Sequence, residues 1–475
     1  MADLIINEYP SAAKVFAFFE DFSRVPRGSG NTAGIADYLV KFAIERKLEY
    51  KRDESDNVVI YKNATEGYES RPTVIIQGHT DIVADKIASS KKDLEKEGLE
   101  LYRDGDFIRE KETTLGADDG IALAYALALL DSSDIPHPRL EALFTSDEEI
   151  GLLGASALDA SALCGRVMIN IDSDEEGVFT VGCAGGLRMD LAFNEKAVDL
   201  TTNLYKIAVS GLMGGHSGVE INKGRVNAIK VLFEIVGSLS DMRIAQVHGG
   251  NADNAIPRDA QVLLSCENSI EDVRELASKL ALKYGVADSG IKVTVERVSE
   301  SSPVFSLDLS SKITEAIKAL PTGVIAMEAD MPDMVETSMN IGIIRSTESE
   351  VSISASLRSS KGAAKEALKA RVRKIGESLS AVVSERGEYP EWEYKSDSHL
   401  RDVMERVYRE QYGKAPSVVT IHAGLECGIF SKMIDGLDCV SIGPDNLDIH
   451  TPEERLSISS SARVWEFLKK VLKEI

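Results

Sequence analysis

In Thr73-Val-Ile-Ile-Gln-Gly-His-Thr-Asp81 an apolar, β-branched run passes straight into histidine and aspartate. Such a continuous run, bounded by turn-forming residues, fits a strand buried on both faces, which is how strands of a parallel sheet read. Three other runs have the same form. Leu140-Glu-Ala-Leu-Phe-Thr145 precedes Asp147-Glu148-Glu149, Val167-Met-Ile-Asn-Ile171 precedes Asp172, and Cys439-Val-Ser-Ile442 precedes the loop that carries His450. Val58-Val-Ile-Tyr61 reads as a further strand. Helical spacing covers about Ser11 to Asp21 and Thr32 to Arg46, the second entered through Asn31 as its N-cap. A strong helix, Gly120 to Leu130, begins directly after Gly116-Ala-Asp-Asp119. Buried strands alternating with helices predict an α/β domain with a largely parallel central sheet.

Beyond Gly182-Cys-Ala-Gly-Gly186 the texture changes. Strands are expected at Tyr205 to Val209, Gln261 to Cys266, Lys292 to Val298, Thr337 to Ile344 and Val351 to Leu357. Helices are expected at Val226 to Leu239, Ile270 to Tyr284 and Gly362 to Arg386. This pattern predicts an α+β sandwich with an antiparallel sheet. The first texture then returns, with a helix near Leu400 to Tyr412, the buried strand at Cys439 and a closing helix near Ser459 to Lys473. The middle third therefore reads as an insertion: residues 1–190 and 395–475 make one discontinuous domain, and residues 191–394 make the inserted one.

A length of 475 residues agrees with about two or three domains. With 54 Lys+Arg against 77 Asp+Glu, the net charge of −23 argues against a nucleic-acid partner and against docking on anionic lipid. The longest wholly apolar stretch, Ile121 to Leu130, falls far short of the roughly 20 residues needed to cross a bilayer. Met1-Ala-Asp-Leu-Ile lacks the basic start and apolar stretch of a secretory leader, so the expected location is cytoplasmic. Cys164, Cys183, Cys266, Cys427 and Cys439 form no Cys-x-x-Cys pair and are expected as buried, reduced thiols.

Ligands of open α/β sheets gather in the crevice outside the carboxyl ends of the strands, so the polar groups that follow these runs converge on one edge. They are His79, Asp81, Asp118, Asp119, Glu148, Glu149, Asp172 and His450. Taken singly, each is commonplace. A His-x-Asp triplet arises by chance, and Asp118-Asp119 before a helix is explained by the helix dipole. Their convergence is what carries meaning. Two imidazoles among several carboxylates suit Zn²⁺ or Mn²⁺, and so much negative charge in one crevice calls for two cations bridged by one carboxylate, for which Asp118 is the candidate. No G-x-S-x-G nucleophile elbow and no G-x-x-x-x-G-K-[ST] phosphate loop is present. Gly28-Ser-Gly30 is discounted as a weak glycine pair, and Cys427 near His422 is read as a buried thiol rather than a nucleophile.

In this order, His79-x-Asp81, Gly116-Ala-Asp118-Asp119, Asp147-Glu148-Glu149-x-Gly151, Asp172 and His450 resemble the M20 group of di-zinc metallopeptidases. Thr114-Leu-Gly-Ala-Asp-Asp, Gly182-Cys-Ala-Gly-Gly, Gly214-Gly-His216-Ser-Gly, Asn254-Ala-Ile-Pro-Arg258 and His422-Ala-Gly-Leu-Glu-Cys-Gly428 are similar to the bacterial aminoacyl-histidine dipeptidases of that group. The resemblance implies His79 and Asp172 as ligands of one metal, Glu149 and His450 as ligands of the other, and Asp118 as the bridge. It implies Asp81 as the group that orients the His79 ring, Glu148 as general base, and His216 as a donor to the oxyanion. Arg358 and Asn254 are the candidates for holding substrate, a guanidinium being suited to a free carboxylate.

The implied activity is metal-dependent hydrolysis of dipeptides with broad specificity, Xaa-His included. The implied cofactors are two divalent ions, zinc (Zn²⁺) foremost, with Mn²⁺ or Co²⁺ as alternatives. The inserted domain is implied to be a lid and dimerisation surface, giving a homodimer. Alternatives are an aminotripeptidase or another amidohydrolase of the same group, and a catalytically silent metal-binding scaffold. Glu148 and Glu149 pose one difficulty: neighbours on an extended strand point to opposite faces, so the chain must already be turning there, with Gly151 consistent with that turn.

Overall fold

The computed structural model describes residues 6–329 and 331–475. Residues 1–5, the stretch read as lacking a leader, lie outside the described residues. Two compact units are present: one runs to Gly182 and takes in Tyr394–Thr420 and Leu425–Ile475, and the other comprises Cys183–Glu393 with Ile421–Gly424.

The first unit is built on an eight-stranded sheet. Its order is Glu49–Arg52, Val58–Lys62, Leu140–Thr145, Val74–His79, Val167–Asn170, Asp438–Ser441, Val178–Cys183 and Ser417–Ile421. The middle four strands are mutually parallel, as their unbroken apolar runs require. Every residue of Val74–His79 and Leu140–Thr145 is buried. Antiparallel strands stand at both margins. Register sets the site, because His79 lies level with Thr145, Gln77 with Asn170, and Ser441 with Asn170. Strands that end together release their following turns at the same edge.

The helix Ala117–Asp131 is apolar all round and buried along nearly its whole length, as a helix enclosed by the core must be. Tyr125 on it stacks on Trp465 of the closing helix Ile458–Glu474, with ring centroids 5.9 Å apart. The helix Ala33–Arg46 differs from expectation at its start: Thr32 is the N-cap, with no side-chain cap bond, while Asn31 Nδ2 donates to the Glu95 carbonyl at 3.0 Å.

In the second unit a nine-stranded antiparallel sheet carries the helices Ala228–Val236, Ile270–Gly285, Leu307–Ala319 and Gly362–Ser378. Ile229, Leu232, Phe233, Ile313 and Val372 lie in its core with Leu191, Ile207 and Ile353. The helix expected to reach Arg386 stops at Ser378. Ser380 adopts φ +65°, and Val382–Tyr389 pairs antiparallel with Gly185–Asn194. Val382–Tyr389 is an exposed strand without an apolar run, which explains why its β character was hidden.

Among the described residues, which include all five cysteines, no disulfide is present. Four are buried as expected, but Cys164 is exposed, its thiol donating to Glu141 Oε1 at 2.9 Å. Among the described residues no helix is long and apolar enough to cross a membrane.

Candidate metal centre

At the carboxyl edge of the first unit's sheet the expected groups meet. His79 Nε2 lies 3.1 Å from Asp118 Oδ1 and 3.6 Å from Asp172 Oδ1. His450 Nε2 lies 3.0 Å from Asp118 Oδ2 and 2.8 Å from Glu149 Oε1. Asp118 thus turns one oxygen to each imidazole, and the residues fall into two overlapping sets, His79–Asp118–Asp172 and Asp118–Glu149–His450. A third set joins His79, Glu148 and Glu149, with their ligand-type atoms all within 4.8 Å of one another.

Glu148 and Glu149 reach the same place because the chain has left the strand. The strand ends at Thr145, Asp147 takes φ +50°, and the amides of Gly151 and Leu152 bond back to the Glu148 carbonyl. Asp81 fixes this turn as well as the His79 ring. Its carboxylate accepts the backbone N–H of Glu148 at 2.9 Å and of Glu149 at 3.3 Å, while the His79 Nδ1 lies 3.1 Å from its carbonyl oxygen and 3.4 Å from Oδ1.

The donor chemistry fits cations. With Nδ1 facing the Asp81 carbonyl, a neutral His79 ring carries its proton there and presents a bare lone pair at Nε2, which looks at two carboxylates. Lone pairs face one another in this way only when a proton or a metal ion lies between them. Without metal the acids oppose their own ionisation. Burial, and then the neighbouring carboxylates against the pull of His79, raises Glu148 well above its usual range. Burial likewise pushes Asp172 up to about 6, against the opposing pull of His79. Burial would also raise Asp118, but hydrogen bonds to His450 and His79 hold it low. His450 is pushed up to about 11 by Asp118 first and Glu149 second. Two divalent ions would replace that proton and relieve the repulsion among the acids.

Several groups that hold this arrangement went unnoticed in the sequence. Glu454, four residues beyond His450 and 2% exposed, accepts the backbone N–H groups of Leu115, Gly116 and Ala117 at 2.8 Å each and of Asp118 at 3.2 Å. From the other side the buried guanidinium of Arg27 donates to the carbonyls of Thr80 and Gly116. Gly116 is glycine for a reason: it sits at φ +69°, and a Cβ there would stand 2.8 Å from Ile82 Cγ2 and 2.9 Å from Arg27 Nη2. The discounted Gly28-Ser-Gly30 segment also serves the site. Ser29 Oγ donates to Asp81 Oδ2 at 2.8 Å, and Gly30 N–H to Asp147 Oδ1 at 2.6 Å. Glycine spacing was the only signal available for it.

His216, Asn254 and Arg358 lie in the second unit. His216 is in a two-residue strand opposite Ala255, and its Nδ1 accepts the amides of Gly218 and Val219 at 3.2 Å. Asn254 is exposed, with its carbonyl accepting Ser217 N–H at 2.8 Å. Arg358 is buried rather than at a surface strand end, and donates to the Tyr389 hydroxyl at 2.7 Å. Burial, and then the Arg358 charge, lowers His216 and holds His422 at about 3. His422 Nε2 is 2.7 Å from Ser338 Oγ, and Cys427 Sγ is 3.5 Å from Cys439 Sγ.

The profile of Peptidase family M20/M25/M40 matches residues 113–474. The chain is 33% identical over 481 aligned positions to the cytosol non-specific dipeptidase of Escherichia coli (strain K12), covering 98% of each. The crystal structure of aminoacylhistidine dipeptidase from Vibrio alginolyticus superposes with a TM-score of 0.90 at 33% identity, covering 98% of this chain and 97% of that one. Aminopeptidase PepT from Bacillus cereus ATCC 10987 shares the fold at a TM-score of 0.57 and 17% identity, over 97% of this chain and 98% of that one.

Proposed function

The chain belongs to peptidase family M20/M25/M40, and from that premise we propose that it is a metal-dependent dipeptidase of broad specificity whose substrates include Xaa-His dipeptides such as carnosine-like ones. Likeness to the Escherichia coli dipeptidase along the whole chain, inserted segment included, is the observation that carries the substrate class.

We assign His79 and Asp172 to one cation, Glu149 and His450 to the other, and Asp118 to both, in keeping with its one oxygen toward each ring. Zinc is the proposed metal, with Mn²⁺ or Co²⁺ able to substitute. When bound, such a pair lowers the pKa of water and polarises the scissile carbonyl. Glu148 takes the proton of the attacking water and hands it to the departing amine, a task that suits a carboxylate whose basicity burial has raised. Asp81 holds the His79 tautomer and, through the two amides it accepts, the position of Glu148.

His216 is proposed as donor to the oxyanion, Arg358 as partner of the substrate carboxylate and Asn254 as a further substrate contact. Residues 191–394 would serve as lid and dimerisation surface of a cytoplasmic homodimer. The test is a panel of dipeptides, tripeptides and N-acyl amino acids offered to protein stripped with chelator and reloaded with Zn²⁺, Mn²⁺ or Co²⁺. Cleavage of dipeptides, His-containing ones among them, is expected. Cleavage confined to tripeptides or N-acyl amino acids would shift the reading to another member of the family, and no cleavage at all would leave a metal-binding scaffold.

A further inference from the structure

Glu426 opens the helix Glu426–Met433 and is wholly buried, yet nothing in the proposed reaction uses it. Its Oε2 accepts two hydrogen bonds, from Gln77 Nε2 at 2.5 Å and from Thr145 Oγ at 2.7 Å. Gln77 also donates to Thr145 Oγ1 at 3.2 Å and accepts from Asn170 Nδ2 at 2.5 Å. These partners stand at the carboxyl ends of three adjacent parallel strands. Each strand delivers ligands: Gln77 precedes His79 by two residues, Asn170 precedes Asp172 by two, and Thr145 leads into the turn of Glu148 and Glu149.

We infer that Glu426 is a positioning residue, the acceptor that fixes the three ligand-bearing strand ends relative to one another so that His79, Asp172 and Glu149 meet the cations in register. The inference rests on the metal assignment proposed above. The ladder carries His79 opposite Thr145 and ends at Asn170 on the neighbouring strand, so Asp172, Glu148 and Glu149 lie beyond the last paired residues, where the ladder no longer limits their freedom to shift. A side-chain network one step before the ligands removes that freedom. A carboxyl oxygen is suited to the task because its two lone pairs accept two converging donors, here Gln77 and Thr145. Its other oxygen, Oε1, is buried with no hydrogen-bond partner among the described residues. Leaving such an atom unpaired is costly, so apolar replacement would have been favoured if Oε2 were not needed.

The test is zinc binding by calorimetry on metal-stripped protein, with the visible spectrum of the Co²⁺ form as a second readout of ligand geometry. Glu426→Leu removes the acceptor. It should weaken zinc by at least about tenfold, in the range seen when groups supporting ligands are removed, and alter the Co²⁺ spectrum. Glu426→Gln keeps one oxygen for both donors and should recover zinc affinity to within about threefold of wild type. Wild-type affinity and spectrum in Glu426→Leu would overturn the inference alone. So would a Gln variant as weak as the Leu variant, since charge rather than hydrogen-bond geometry would then be responsible. If Glu426→Leu does not fold, Thr145→Val removes one donor at nearly constant shape. A severalfold loss of zinc affinity supports the inference, and unchanged affinity refutes it. Wild-type protein that binds no pair of metals would overturn the metal assignment and this inference together.

Discussion

His450 Nε2 lies 3.0 Å from Asp118 Oδ2, although 332 residues of chain separate them. The other oxygen of the same carboxylate faces His79 at 3.1 Å. One side chain therefore serves two imidazoles, and its loss should be felt by both. Asp118→Asn replaces one of the two anionic oxygens by an N–H₂ that cannot ligate and leaves a single neutral oxygen, so the side chain can no longer bridge. Elemental analysis should find fewer than two metals per chain, and turnover should fall by at least about a hundredfold, the upper range for removing a mere supporting group. A variant holding two metals with full activity would exclude Asp118 as the bridge.

Glu148→Gln tests a different role. An amide takes no proton from water, so turnover should drop about 10²- to 10⁴-fold while both metals stay bound. Loss of metal in this variant would show that Glu148 and Glu149 have exchanged roles.

Glu454 accepts four backbone N–H groups through its two carboxylate oxygens. Glu454→Gln keeps the shape but points an amide N–H₂ at donors, leaving buried N–H groups unpaired at about 1–3 kcal/mol. Urea unfolding of the metal-free variant should register that loss, and zinc affinity should fall as the Asp118 loop loosens. Gly116→Ala should disturb the same loop, since its φ of +69° disfavours any side chain and Arg27 occupies the space. Unaltered unfolding curves for both variants would mean the loop is held by other contacts.

A pH effect follows from His450, which the metal-free protein pushes up to about 11 through Asp118 and then Glu149. Its folded pKa exceeds the unfolded value of about 6.5. The stabilisation is therefore fully present below about pH 6.5 and is lost as pH rises toward 11. Chelated protein should melt at progressively lower temperature between those limits. Because a metal needs the neutral ring, zinc uptake should release a proton and tighten as pH rises. Calorimetry in two buffers of different ionisation enthalpy counts that proton, and no release at neutral pH would contradict the ion pair.

Much of this was legible along the chain. Four apolar runs announced the parallel centre of the first sheet, because a strand covered on both faces must be apolar throughout, and the residue types after each run named the chemistry. Those signals are local. Turn geometry was partly so: two adjacent glutamates serving one site demanded a bend, and Asp147 at φ +50° supplies it. The exposed strand Val382–Tyr389 was lost to the preceding helix because exposure erases the apolar pattern that marks a strand.

Only the folded chain decided which oxygen faces which ring, and which polar residues hold the ligands in place. Glu454 bonds to an amide 336 residues away and Glu426 to a side chain 349 residues away. In the sequence each is one acid among 77 Asp+Glu. Periodicity and burial are written into neighbouring residues, whereas a hydrogen-bond partnership exists only once distant segments have packed and water has been excluded from between them.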